Sequence, residues 1–345
     1  MTDDVDKNTI LITGGAGFIG SNFITYFLDK HPTTHIINLD KLTYAGSKEN
    51  MSEFFENPRH TFVHGDICDQ KLLDQLFESN RVNGVIHFAA ESHVDRSIEG
   101  PDAFIQTNIV GTYALLEAAR KYWASDTPNH KEEQLPRFHH ISTDEVYGSL
   151  GKEGYFNEQS PYAPNSPYSA SKAASDHLVR SYHHTYGMNV CITHCSNNYG
   201  PAQNDEKLIP TIIRNAIEGK PIPIYGDGSN IRDWLYVTDH CEAIDKVYHD
   251  GAAGETYTIG GNYELDNMTM ARQICDQMDQ VYPKSKGSYG EQITLVADRP
   301  GHDFRYAIDS SKITRELNWK PRTDFKEGLK ETINWFVKKY NIQTV

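Results

Sequence analysis

The stretch from Thr9 to Gly20 leaves this chain few folds to choose from. Thr9 to Thr13 (TILIT) reads as a short buried strand. It runs directly into Gly14-Gly15-Ala16-Gly17-Phe18-Ile19-Gly20, and apolar residues then recur at Phe18, Ile19, Phe23, Ile24 and Phe27 with helical period. A strand, a glycine turn and a helix in immediate succession open a βαβ unit of the dinucleotide-binding kind. Glycines there let the backbone approach a pyrophosphate, which rests on free amides at the helix N-terminus. Gly14, Gly17, Phe18, Ile19 and Gly20 are therefore expected to line a cofactor site. Asp40 closes the next expected strand, twenty residues beyond Gly20. A carboxylate at that point accepts hydrogen bonds from ribose hydroxyls and repels a 2′-phosphate, which favours NAD over NADP. Asp66 ends a third strand and is placed to meet the adenine edge.

The first half of the chain keeps the alternation. Strands are expected at His35 to Leu39, His60 to His64, Gly84 to Phe88, Arg137 to Ser142 and Asn189 to His194, and long helices at Ala103 to Tyr122 and Tyr168 to Tyr186. Strands alternating with helices imply a doubly wound parallel sheet with right-handed crossovers, a Rossmann-type α/β fold. Ala124 to Pro136 reads as a polar surface loop. In the less regular second half, Leu208 to Ile217 is helical and Pro221 to Asn230 reads as a loop. Trp234 to Val247 reads as strand then helix that rejoins the first lobe, and Phe325 to Lys339 as a closing amphipathic helix. A large cofactor lobe and a smaller α/β lobe with a cleft between them follow.

Composition narrows the partners. A chain of 345 residues with net charge -14 and a pI near 5.5 repels phosphate backbones, which argues against nucleic acid as the main ligand. The cysteines Cys68, Cys191, Cys195, Cys241 and Cys275 are scattered, without paired CxxC knuckles, and read as reduced thiols of a cytoplasmic protein. Neither they nor the histidines show metal-ligand spacing, so no metal is expected. The N-terminus carries no signal-peptide core, and no apolar run reaches the length of a membrane span.

Two further motifs carry chemistry. In Tyr168-Ser169-Ala170-Ser171-Lys172 the phenol and the ammonium lie four residues apart, on one face of a helix. A nearby cation favours the phenolate and turns a poor base into a usable one. Ser142-Thr143-Asp144-Glu145-Val146-Tyr147-Gly148 directly follows an expected strand, where open α/β sheets bind their ligands. Adjacent acids there can divide proton work between a general acid and a general base.

Together these residues resemble the extended short-chain dehydrogenase/reductase family over effectively the whole chain. The Asp144-Glu145 pair looks like the dTDP-glucose 4,6-dehydratase group within it; related epimerases usually carry small residues there, and the decarboxylases a serine in place of the aspartate. Asp40-Lys41-Leu42-Thr43-Tyr44-Ala45-Gly46, Ala89-Ala90-Glu91-Ser92-His93-Val94-Asp95-Arg96-Ser97, Asn197-Asn198-Tyr199-Gly200-Pro201 and Asp298-Arg299-Pro300-Gly301-His302-Asp303 also look like the dehydratase pattern.

The resemblance implies that Tyr168 takes the glucose O4 proton as C4 is oxidised by NAD, with Thr143 and Lys172 assisting. Glu145 then removes the C5 proton, Asp144 protonates the departing C6 hydroxyl, and the hydride returns to C6. It implies further cofactor contacts at Lys41, Thr43, Ile67, Ala89 and Ala90, beside Asp66, Tyr168 and Lys172. For the nucleotide sugar it implies Ser92, Asn197, Asn198, Lys207, Leu208, Pro223, Tyr225, Arg232, Asn267, Arg299 and His302, with Arg232 and Arg299 suited to grip the diphosphate. The expected division is 1–196 with about 231–260 for NAD, about 197–230 with 261–320 for the nucleotide sugar, and 321–345 as the closing helix. The two long helices are expected to form a homodimer interface. An epimerase, a decarboxylase or a non-enzymatic NAD-sensing regulator on the same fold are the alternatives. The acid pair argues against the first two, and the intact Thr143, Tyr168 and Lys172 against the third.

Overall fold

A computed structural model describes residues 8–126 and 135–340. Residues 1–7, 127–134 and 341–345, which include most of the expected polar loop and the outer ends of the first and last expected segments, lie outside the described residues.

The central sheet has seven strands: β1 (Thr9–Thr13), β2 (His35–Asp40), β3 (His60–His64), β4 (Gly84–His87), β5 (Arg137–Thr143), β6 (Val190–Cys195) and, much later in the chain, Thr256–Ile259. Their order is Thr256–Ile259, β6, β5, β4, β1, β2, β3, and every neighbouring pair is parallel. The winding reverses between β1 and β4, which opens a crevice at their carboxyl ends.

Alternation along β1 builds both cores, because successive side chains point to opposite faces. Leu11 packs with Leu115, Phe138, Val179 and Tyr182 on one face. Ile10 and Ile12 pack with Phe23, Phe27, Cys241 and Ile244 on the other. Helix α1 (Phe18–Lys30) covers the second face; α2 (Gln70–Asn80) and two longer helices cover the first.

The first of those longer helices is not the single rod expected from Ala103 to Tyr122. After the short helices α3 (Val94–Glu99) and α4 (Asp102–Phe104), a π-helical segment Ile105–Gly111 precedes α5 (Thr112–Asp126). The widened turn aims Asn108 inward. Its side chain accepts from Glu91 N at 2.9 Å and donates to Glu91 O at 3.0 Å and Ser171 Oγ at 2.8 Å. The second helix, α6 (Pro167–Tyr186), starts at a capping box in which Ser166 and Ser169 bond each other's backbone amides, with Pro167 at the first helical position. Such caps contribute about 1 kcal/mol. Here the cap fixes the turn that carries Tyr168.

A second core lies apart from the large sheet. It gathers β7 (Asn197–Tyr199), α7 (Leu208–Glu218), β8 (Ile222–Tyr225), β9 (Ile231–Tyr236), β11 (Glu264–Asp266), α9 (Asn267–Val281), β12 (Ile293–Val296) and α11 (Phe325–Lys339); between β9 and β11 the chain runs through α8 (Val237–Asp250) and β10 (Thr256–Ile259), the seventh central strand, and between β12 and α11 through α10 (Ser311–Leu317). Two sequence expectations differ here. The strand near Trp234 pairs with β7 and β11 in a small sheet, and it is β10 that returns to the large one. Pro221 to Asn230 is not all loop: β8 pairs in parallel with β12. A two-stranded sheet consists only of edges, where proline is tolerated. Among the described residues no helix is long and apolar enough to cross a membrane.

Candidate active site

One cleft runs along the carboxyl ends of β1, β2, β4 and β5 and past the start of β7. Every residue expected to touch the cofactor lines it: Gly14, Gly17, Phe18, Ile19, Gly20, Asp40, Lys41, Thr43, Asp66, Ile67, Ala89, Ala90, Tyr168 and Lys172. Thr143, Asp144 and Glu145 line it too, with Ser92, Asn197, Asn198 and Lys207.

The cradle fits a pyrophosphate for local reasons. Gly14 has φ +75° and sits against the β4 loop, where an added Cβ would lie 2.6 Å from Ala89 N. A Cβ on Gly20 would meet Gly14 O at 2.3 Å. The N-cap of α1 is Gly17, which offers no side chain, and its first turn carries no acid, so its leading amides remain available to an anion. Asp40 does more than await a ribose. Its Oδ2 accepts from Ala16 N at 2.9 Å and its Oδ1 from Leu42 N at 2.7 Å, so the carboxylate ties the glycine turn to the loop after β2. Each oxygen keeps a lone pair for a ribose hydroxyl. Asp66 pairs with Lys41 at 2.7 Å at the cleft's outer end.

Asp144 and Glu145 open a 3₁₀ turn (Asp144–Tyr147) that Thr143 caps, its hydroxyl accepting from Glu145 N. Asp144 is almost fully buried, and its Oδ2 has no hydrogen-bond partner. Burial, then the neighbouring Glu145 and Asp233, push its carboxyl well above the usual range. Burial raises Glu145 as well, while Lys207, Arg299 and Arg232 draw it back. The two acids are thus driven apart: Asp144 holds a proton, and Glu145 faces three cations that favour its charged form.

The expected pairing of Tyr168 with Lys172 is modified. Burial, and then Glu145, hold the Tyr168 phenol well above its ordinary value, with the Thr143 hydroxyl pulling the other way. The Lys172 ammonium points to Ile141 O at 2.9 Å and His140 Nε2 at 3.3 Å. Burial depresses it to about 8, Asp176 opposing.

The remaining residues expected to hold the sugar nucleotide lie beyond the cleft lining. Arg299 reaches Asp95 at 2.8 Å and Tyr225 OH lies 3.5 Å from the same carboxylate, so Asp95 joins the two sides. His302 stands edge-on to Tyr225, with ring centroids 6.1 Å apart, and bonds Asp298. Arg232 is buried over the Tyr306 ring, with its guanidinium bonded to the carbonyls of Ile231 and Asp303. The Arg299 Nε is buried without a partner. Leu208 packs toward the second core, Pro223 is half-buried in β8, and Asn267 begins α9. Glu91, Thr107, Ser196, Gln203 and Asn204 also line the cleft and were not singled out from the sequence. Turn and loop positions carry no periodic signal that would have marked them.

Away from the cleft lining, His31, Asp245 and His249 bring three ligand-type atoms within 4.8 Å of one another. Their spacing in sequence hides this, because His31 follows α1 and the other two lie on α8. The two imidazoles pair with the single carboxylate at 2.8 and 3.0 Å, which accounts for the arrangement.

Comparison with known proteins agrees with this geometry. A family model described as GDP-mannose 4,6 dehydratase matches residues 11–332. The dTDP-glucose 4,6-dehydratase of Salmonella typhimurium is 55% identical over 337 residues, covering 95% of this chain and 92% of that protein. The chain belongs to the dTDP-glucose 4,6-dehydratase family. Among solved structures, the family member DesIV from Streptomyces venezuelae, determined with NAD bound, superposes with a TM-score of 0.86 at 45% identity, covering 96% of this chain and 97% of that one. The family member from Bacillus anthracis, also in complex with NAD, gives 0.83 at 46%, with the same coverage.

Proposed function

We propose that this protein converts dTDP-glucose to dTDP-4-keto-6-deoxyglucose by oxidation at C4, elimination of water across C5 and C6, and reduction at C6. The observation that carries the proposal is the pair Asp144 and Glu145, in the same cleft as Tyr168, Thr143 and Lys172. An epimerase or a decarboxylase has no use for a second acid held protonated beside a base.

NAD, when bound in the cradle, takes the hydrogen with its electron pair from C4 and returns it to C6. The chain's own residues do the rest. Tyr168 Oη takes the O4 proton, Thr143 Oγ1 hydrogen-bonds the same oxygen, and Lys172 stabilises the phenolate. Glu145 removes the proton from C5, acidified by the new ketone. Asp144 delivers its proton to O6, which leaves as water, and Glu145 returns its proton to C5. Arg232, Arg299 and Lys207 hold the diphosphate; Tyr225, His302 and Pro223 flank the base; Ser92, Asn197, Asn198, Leu208 and Asn267 complete the sugar-nucleotide site.

We read the chain as a cofactor lobe of residues 1–196 with about 231–260, a substrate lobe of about 197–230 with 261–320, and a closing helix from 321. A homodimer through the Ile105–Gly111 segment, α5 and α6 is supported by the exposed Ile105, Val110, Tyr113 and Tyr186. Four fully buried thiols and a fifth that is unpaired suit a cytoplasmic location.

The test is incubation with dTDP-glucose and mass spectrometry for loss of one water, beside an Asp144→Asn/Glu145→Gln variant. Loss in the wild type alone supports the assignment. No loss from dTDP-glucose refutes it and moves the assay to UDP-, CDP- and GDP-sugars; bound NAD without turnover on any of them favours a regulator.

A further inference from the structure

A buried ammonium is stable only when an anion or a full set of acceptors faces it. Lys172 is 3% exposed. One helical turn further along α6 lies Asp176, 1% exposed and on the same face. Its Oδ2 accepts from Ser142 Oγ at 2.9 Å, Tyr162 OH at 3.2 Å and His194 Nε2 at 3.0 Å. Its Oδ1 has no hydrogen-bond partner and stands 3.3 Å from His140 Nε2. That same nitrogen lies 3.3 Å from Lys172 Nζ. A neutral imidazole nitrogen can accept from the ammonium or donate to the carboxylate, but it cannot do both. With Nε2 accepting, Lys172 keeps its third proton, and Asp176 acts on it across the ring.

The surroundings leave this role to Asp176. Facing the pair are Tyr168 from α6, His140 and Ser142 from β5, His87 from β4, His194 and Cys195 from β6, and Tyr147 and Tyr162 from the segment after β5. Burial lowers His87, lowers His140 to about 4, raises Cys195 to about 12 and raises both tyrosines, so these groups stay neutral near pH 7. Burial also pushes Asp176 upward, but His194 and His140 outweigh it and hold the carboxyl below the usual range. Asp144 and Glu145 lie on the cleft side and bear on Tyr168 and Cys195.

We propose that Asp176 is the counter-ion of Lys172: acting across the neutral His140 ring, it keeps the ammonium charged and in place, and thereby sets the upper pH limit at which Tyr168 serves as the base. It is a positioning residue, and the proposal rests on the dehydratase reading for its activity readout.

The test is the pH profile of kcat and KM for dTDP-glucose with NAD-loaded wild type, Asp176→Asn and Asp176→Glu. The alkaline limb of kcat in D176N moves to lower pH by one unit or more, so the rate at pH 8 falls about tenfold or more while KM stays within about twofold. D176E moves the limb back. A limb that does not move, or an equal loss at every pH, overturns the proposal, because a purely structural role would act in that way. If D176N does not fold, Ser142→Ala, which removes a donor to Asp176 Oδ2, must move the limb in the same direction; an unmoved limb there overturns it equally. If the wild type itself releases no water from dTDP-glucose, the functional reading falls separately. The Lys172 titration is then read without turnover by carbon-13 NMR of ε-labelled lysine, assigned with K172M; an unchanged titration in D176N or S142A overturns the proposal.

Discussion

Replacing Lys172 by Met should make the protein more stable at neutral pH while abolishing its activity, and the gain should fade as the pH rises. Met preserves most of the side-chain volume and removes the charge. In the folded chain burial holds Lys172 near 8, against 10.5 for the free side chain. The sign follows from linkage. Below pH 8 both folded and unfolded states carry the proton, and the folded state bears the full cost of the buried charge. Between pH 8 and 10.5 the folded state releases the proton while the unfolded state keeps it, so wild-type stability rises with pH. At 1.36 kcal/mol per unit, the rise from pH 7 to 9.5 attributable to this group is about 2 kcal/mol. The variant lacks that rise. Its loss of the bonds to Ile141 O and His140 Nε2 is constant with pH and cancels in the comparison. The assay is urea unfolding of the NAD-free protein, wild type and K172M, at both pH values. The stability difference should shrink by about 2 kcal/mol from pH 7 to 9.5. A difference independent of pH would show that Lys172 does not titrate in this range and would refute the account of its burial.

Other outcomes follow from the same structure. Asp144→Asn should lower turnover by about 10²–10⁴-fold, the usual worth of a general acid. The ultraviolet band of the reduced cofactor should still rise on mixing, because Tyr168, Thr143 and Lys172 are intact; stopped-flow absorbance beside mass spectrometry separates the two steps. Gly20→Ala places a Cβ 2.3 Å from Gly14 O and 2.9 Å from Gly15 Cα, so the cradle must distort. NAD affinity measured by calorimetry should fall tenfold or more, about 1.4 kcal/mol. Phe336, on the inner face of α11, is fully buried in the second core, and F336A should cost about 3–5 kcal/mol in urea unfolding.

The sequence reveals most where local pattern and tertiary role coincide. The strands of the parallel sheet are short, β-branched and buried on both faces, and their ends fall within a residue or two of the expected ones at β1, β2, β3 and β4. The glycine cradle, Asp40 and the two catalytic motifs are contiguous or regularly spaced, so they were legible too. Helix α2 was overlooked although its signals are present: Asp69 caps it, Leu72, Leu73, Leu76 and Phe77 make an apolar face, and Arg81 ends it in the left-handed conformation. The cluster of His140, Asp176 and His194 was not legible, because adjacent strands and a helix bring it together and no spacing in the chain encodes it. The electrostatics of Tyr168 were misjudged for a similar reason: a lysine four residues away shares its face, but burial of the phenol is a property of the whole site.

The π turn at Ile105–Gly111 has a consequence for how this chain tolerates change. Such a turn holds one residue more than an α-helical turn. Deleting a single residue there would restore regular winding and rotate everything beyond it by about 100°. Ala114, Leu115, Ala118 and Ala119 of α5 would swing away from the sheet they now cover, and Asn108 would lose its hold on Glu91 and Ser171. The segment therefore works as a phase setter between the cofactor cleft and the expected dimer face. A one-residue deletion there should damage both at once, whereas a side-chain substitution on the helix exterior should disturb neither.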